Sequence, residues 1–79
     1  MTADAATAAT LALLAGRAAD ATVCPSEVAR ALAGAGDWRA EMARVHDAVD
    51  RLVADGRVRL SWKGAALPER TGPYRIGRG

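Results

Sequence analysis

Apolar residues recur along this chain with two different periods, and the change of period divides it. Over residues 3–18 alanine and leucine dominate and no proline intervenes, so a first helix is predicted. Leu11, Leu14, Ala15 and Ala18 fall on one stripe at helical spacing, while Ala6, Ala9 and Leu13 share a second face. Residues 19–21 read as a linker, and Thr22-Val23 as a very short strand. A second helix is predicted over residues 25–33, with Val28, Ala31 and Leu32 as its inner stripe. A third follows over residues 37–55, where Trp38, Met42, Val45, Val49, Leu52 and Val53 recur at helical spacing. At Arg57 the period drops to two. Val58, Leu60 and Trp62 alternate with Arg57, Arg59 and Ser61, and Tyr74 and Ile76 alternate with Arg75. Two strands, over residues 57–62 and 73–78, are therefore predicted around a loop holding Gly64, Pro68 and Gly72.

Punctuation supports these boundaries. Pro25 suits the first helical position, where a missing N–H costs nothing, and Glu27 can reach back to the N-cap backbone from the third. Gly34-Ala35-Gly36 ends the second helix, and Asp37 caps the third. Glu41–Arg44 and Asp47–Arg51 have the spacings of ion pairs along its outer face. The order helix, short strand, helix, glycine turn, helix, strand, loop, strand is that of an α+β winged helix: a helix-turn-helix followed by a two- or three-stranded β-wing.

The run T-V-C-P-S-E-V-A-R-A-L at residues 22–32 resembles a signature, T-x-C-P-S-E-V-A-R-A-L, of a family of small bacterial proteins in the winged-helix DNA-binding-like class. D-W-R at 37–39, K-G at 63–64 and G-P-Y-R-I at 72–76 extend the resemblance over roughly residues 10–78. It implies the same fold. It implies no activity, because none is established for the family, and no site residue is carried over from it. Trp62 departs from the family pattern, where a polar residue is expected before Lys63-Gly64.

Composition narrows the function classes. Seventy-nine residues make one domain with a modest core. Cys24 is the single cysteine and His46 the single histidine, so neither an intramolecular disulfide nor a Cys/His zinc set is expected. The apolar run near the N-terminus is too short to span a bilayer and has no basic residue ahead of it, so neither a membrane partner nor a signal peptide is expected. A reducing cytoplasm fits. No carboxylate pair, serine triad, phosphate loop or metal set is recognisable, so neither an enzyme nor a cofactor is expected.

Charge changes the picture more. Residues 1–56 carry a net −3 and residues 57–79 a net +5, so the overall +2 hides a basic C-terminal third. Such asymmetry points to a polyanion. Arg57, Arg59, Lys63, Arg70 and Arg75 are the candidate phosphate contacts on the wing, against ordinary edge-strand protection as the alternative. Arg39 and Arg44, early on the third helix, are the candidate base contacts, against simple pairing with Glu41 and Asp47. Residues 37–56 hold three arginines and five acids, which disfavours base reading.

Trp38 reads as a core anchor, Trp62 as covering the core edge or else meeting a partner, and Tyr74 as core with its hydroxyl at the rim. Cys24 reads as a half-buried cap and His46 as a residue flanking the apolar stripe. The small residues Ala6 and Ala9 with Leu13 suggest a homodimer through the first helix, unless that helix is rotated and Leu13 lies in the core. The leading expectation is a small cytoplasmic regulator that binds double-stranded DNA through its wing. The alternative is a protein–protein interaction module on the same fold.

Overall fold

The computed structural model describes residues 4–79. Helix α1 spans Ala5–Ala15. Asp4 caps it by accepting from the Ala6 N–H at 2.9 Å, and the chain leaves the helix at Gly16. It is shorter than predicted at its C-terminal end, and the predicted start at residue 3 lies outside the described residues. Its rotation also differs. Ala6, Thr10 and Leu14 form the buried stripe, while Ala15 and Ala18 are exposed. Thr10 tolerates burial because its hydroxyl donates to the Ala6 carbonyl at 2.8 Å. Ala6 is 0% exposed, and Ala9 and Leu13 pack half-buried against the core, so of the expected dimer face Ala6 is interior while Ala9 and Leu13 keep part of their surface. An alanine-rich helix that is apolar all round carries little information about which side faces inward. Packing against α2 and α3 decides it.

Helix α2 spans Pro25–Ala33, as its proline and glycine punctuation predicts. Glu27 accepts from the Cys24 backbone N–H at 3.2 Å, which satisfies a donor at the helix start. The buried positions are Pro25, Val28 and Ala29; Ala31 is exposed and Leu32 half-buried. The inner face therefore keeps Val28 and Leu32 but turns Ala29 inward in place of Ala31. Gly34 ends the helix with φ +58°, a conformation that favours glycine.

Asp37 caps the next segment by accepting from the Arg39 N–H at 3.0 Å. What it opens is a 3₁₀ turn, Trp38–Glu41, and helix α3 proper runs over Met42–Ala54. Such tight turns are common at helix starts. Val45, Ala48, Val49 and Leu52 are buried, whereas Trp38 lies half-buried against the core edge instead of anchoring its centre. The Glu41–Arg44 pair forms at 3.4 Å. Arg51 pairs with Asp4 instead of Asp47 and ties α3 to the start of α1.

The sheet is antiparallel in the order β2-β1-β3, with β1 at Val58–Trp62, β2 at Ala65–Leu67 and β3 at Arg75–Arg78. Strand β2 lies inside the predicted loop. Lys63 and Gly64 both take positive φ, 50° and 82°, the requirement of a two-residue hairpin turn whose twist matches the flanking strands. That turn sets Trp62 opposite Ala65 and Leu60 opposite Leu67. On the other side Leu60 faces Ile76. The short Thr22-Val23 strand forms as a bridge: Val23 and Ile76 exchange backbone hydrogen bonds of 2.8 and 2.9 Å. Val58, Leu60, Tyr74 and Ile76 face the helices and close the core. Three helices followed by a three-stranded antiparallel sheet make an α+β winged-helix layout. Among the described residues no helix is long and apolar enough to cross a membrane.

Candidate functional site

The candidate cations separate by what the fold offers each of them. On β1 the alternation sends Val58 and Leu60 inward and leaves Arg57 and Arg59 exposed. Lys63 is exposed at the hairpin turn. None of the three has an ion pair among the described residues. At roughly 3.3 Å per residue, Arg57 to Lys63 spans about 20 Å of strand and turn. Arg57 is at the end nearest α1, beside Leu11, Leu14 and Arg78, so the three form a spaced row, not a cluster.

Arg70 and Arg75, expected in the same set, are engaged inside the molecule. Arg70 grips Asp50 of α3 with two hydrogen bonds, Nε at 2.7 Å and Nη2 at 2.9 Å. That contact holds the Asp50 carboxyl below its ordinary range. It also lays the loop after β2 along α3. Arg75 donates from Nε to the Thr22 hydroxyl at 2.6 Å and from Nη2 to the Thr22 carbonyl at 3.3 Å. Arg78 donates to the carbonyls of Leu14 and Arg17, both at 2.8 Å, and so satisfies acceptors at the end of α1. Arg17 bridges to Glu27, the capping residue of α2, and holds its carboxyl below the usual range.

Around the helix-turn-helix, Arg44 is exposed on α3 and pairs with Glu41. Arg39 lies over the Trp38 ring, 4.5 Å from its centroid, and Arg30 of α2 lies 4.9 Å from the same ring. Sequence reasoning missed Arg30. Its partner is eight positions away across the glycine turn, which breaks any helical period between the two.

Between the start of α3 and the wing lies a groove. Trp38, Met42 and His46 line one side, Trp62, Pro73 and Tyr74 the other, and Cys24, Pro25 and Ser26 its end. It encloses about 320 Å³. Trp62 does not cover the core as expected; it is 39% exposed, because β1 continues past the last inward contact toward the turn. Tyr74 is buried, with its hydroxyl 2.7 Å from His46 Nδ1. Burial raises the Tyr74 phenol to about 12, so it keeps a proton to donate. Burial also lowers the His46 imidazole, with the Arg70 charge acting in the same direction. A neutral ring accepting from the phenol fits both shifts. Burial alone would raise the Cys24 thiol, but hydrogen bonds from Ser26 and the charge of Arg75 bring it below its ordinary value. The Cys24 sulfur lies 3.1 Å from the Ser26 hydroxyl.

A family model described as a protein of unknown function, DUF3253, matches residues 3–79. No curated protein matches the chain.

Proposed function

The chain belongs to the DUF3253 family, whose description names no activity, and from its own surface we propose a winged-helix module that binds double-stranded DNA through phosphate contacts. The observation that supports this reading is the row Arg57, Arg59 and Lys63, exposed and without ion pairs among the described residues, beside a helix-turn-helix. Arg39 on the 3₁₀ turn and Arg44 on α3 are the further candidate cations on the helix-turn-helix. Phosphate contact needs only positive charge within reach, so the affinity is sequence-blind and salt-dependent. Base reading by α3 is disfavoured. Of its two arginines, Arg51 is tied to Asp4 and Arg44 pairs with Glu41 and stands between that acid and Asp47. The reading is of a binding module, not an enzyme, in a small protein of the bacterial class its signature resembles. A reducing cytoplasm suits the free thiol of Cys24.

Fluorescence anisotropy on a random duplex at low salt tests it. The expected dissociation constant is about 10⁻⁴–10⁻⁶ M at physiological salt, and lower at low salt. Replacing Arg57, Arg59 and Lys63 together with glutamine flattens the log–log salt slope by about 0.9 for each lost phosphate contact. Absence of salt-dependent binding to any duplex at low ionic strength overturns the reading.

A second reading, a protein-interaction module on the same fold, is favoured by a different observation: the apolar groove between α3 and the wing.

A further inference from the structure

The groove calls for an explanation that the cation row does not supply. Exposed apolar surface gathered in a concavity marks a binding site more often than scattered apolar residues do. Trp62 is the large hydrophobic residue left exposed among the described residues, and it forms one wall. At about 320 Å³ the groove has room for one or two side chains.

Two pairs of its polar side chains bond to each other. His46 and Tyr74 bond to each other at 2.7 Å, and Cys24 and Ser26 approach to 3.1 Å. With those groups engaged, a nucleobase seated here finds fewer partners for its polar edge, which costs free energy, whereas a phenyl or isobutyl side chain needs none. No carboxylate lines the groove. Glu27 beside its end is tied to Arg17, and Asp50 along α3 is tied to Arg70. Asp37 and Asp47 are exposed acids near the 3₁₀ turn and α3. Against them stand Arg30 and Arg39 on the Trp38 ring, Lys63 next to Trp62, and Arg75 near Cys24. The guanidiniums of Arg30 and Arg39 meet Trp38 and have no ion pair among the described residues.

We propose that this groove docks a short acidic segment of a partner protein, with one phenylalanine or leucine seated between Trp38 and Trp62. Carboxylates flanking that anchor meet Arg30, Arg39 and Lys63. The surface is apolar with a cationic rim, so the proposal does not depend on duplex binding by the β1 row.

The chain supplies its own reporter, because both of its tryptophans line the groove. Tryptophan emission is followed during titration with a synthetic peptide of one phenylalanine flanked by glutamates. Two analogues accompany it, one with alanine for the phenylalanine and one with lysines for the glutamates. A saturable change is expected with the first peptide, at least tenfold weaker with either analogue. With a labelled peptide read by anisotropy, Trp62→Ala and Lys63→Glu each weaken binding about tenfold, while thermal melting shows both variants folded. Arg57→Gln with Arg59→Gln leaves peptide affinity unchanged while lowering duplex affinity, which separates this site from the proposed DNA surface. Equal response to all three peptides, no response to any, or wild-type affinity in Trp62→Ala overturns the proposal. So does an emission change with protein concentration alone, which assigns the groove to a second copy. Saturation by a single-stranded oligonucleotide at lower concentration than the peptide also overturns it, in favour of nucleic acid.

Discussion

Strands β1 and β3 run side by side, read alike in sequence, and use their arginines in opposite ways. Each alternates an apolar residue inward with a cation outward: Val58, Arg59, Leu60 on one, and Tyr74, Arg75, Ile76 on the other. The arginines of β3 are tied to acceptors of the chain itself. Arg75 reaches Thr22 and Arg78 reaches the carbonyls at the end of α1, because β3 lies beside Val23 and the α1 terminus, where backbone carbonyls and the Thr22 hydroxyl are within reach. The cations of β1 meet no acceptor on the described surface and stay exposed. The same residue type is therefore a fastening on one strand and a free charge on the next. What differs is the neighbour, and the alternation of a strand does not encode its neighbours.

The largest effect should come from the β3 side of this contrast. Ile76 is fully buried and bridges Val23, so Ile76→Ala should cost about 2–5 kcal/mol. Denaturant unfolding measures it, and a loss below about 1 kcal/mol would show that the β3 seam is not the centre of the core.

Acid should act next, and in two stages. His46 has a folded pKa below its ordinary 6.5, so the folded state prefers the neutral ring. Its contribution is present above the unfolded pKa and is lost as pH falls through the folded value. Glu27 and Asp50 are depressed below 4.5 and 3.8 by Arg17 and Arg70, and by the same sign their contributions disappear at lower pH still. Melting temperature should therefore fall first below about pH 6.5 and again below about pH 4.5. His46→Asn should remove the first stage and leave the second.

A smaller effect separates the two strands directly. Arg78→Ala removes two hydrogen bonds to carbonyls at the end of α1 and should cost about 1 kcal/mol. Arg59→Ala should change stability by less than about 0.5 kcal/mol, as surface substitutions usually do. Equal losses measured by thermal melting would erase the distinction between fastening and free charge. The smallest change in stability, with the largest in binding, belongs to the combined glutamine replacement of Arg57, Arg59 and Lys63. It should leave the melting curve within about a degree or two and flatten the salt dependence on duplex DNA.

The residues that sequence reasoning placed well are those whose signal is local. Pro25 and Glu27 mark the start of α2, Gly34 marks its end, and Asp37 caps the turn before α3. The alternation around Val58 and Leu60 and the short Val23 strand were equally legible. Most of the misreadings have one cause, that the deciding partner is distant in the chain. The rotation of α1 depends on α2 and α3, so Ala6 and Leu13 looked like a free face until the packing buried them or drew them against the core. Arg51 found Asp4 and Arg70 found Asp50, pairs separated by 47 and 20 positions. Strand β2 was hidden because a two-residue turn at Lys63-Gly64 needs positive φ at a lysine, which composition does not announce.

The candidate site divides along the same line. Charge asymmetry located the basic third of the chain, and strand alternation put Arg57 and Arg59 outward. That much follows from residue type and period, which are properties of neighbours in sequence. The engagement of Arg70 and Arg75, the meeting of Arg30 and Arg39 on Trp38, and the groove between Trp38 and Trp62 arise only when segments far apart in the chain are brought together. An ion pair or an apolar cleft is a short-range object in space, with forces that act over a few ångströms. Sequence by itself determined which side chains were available to make such contacts, and the tertiary structure alone decided which of them met.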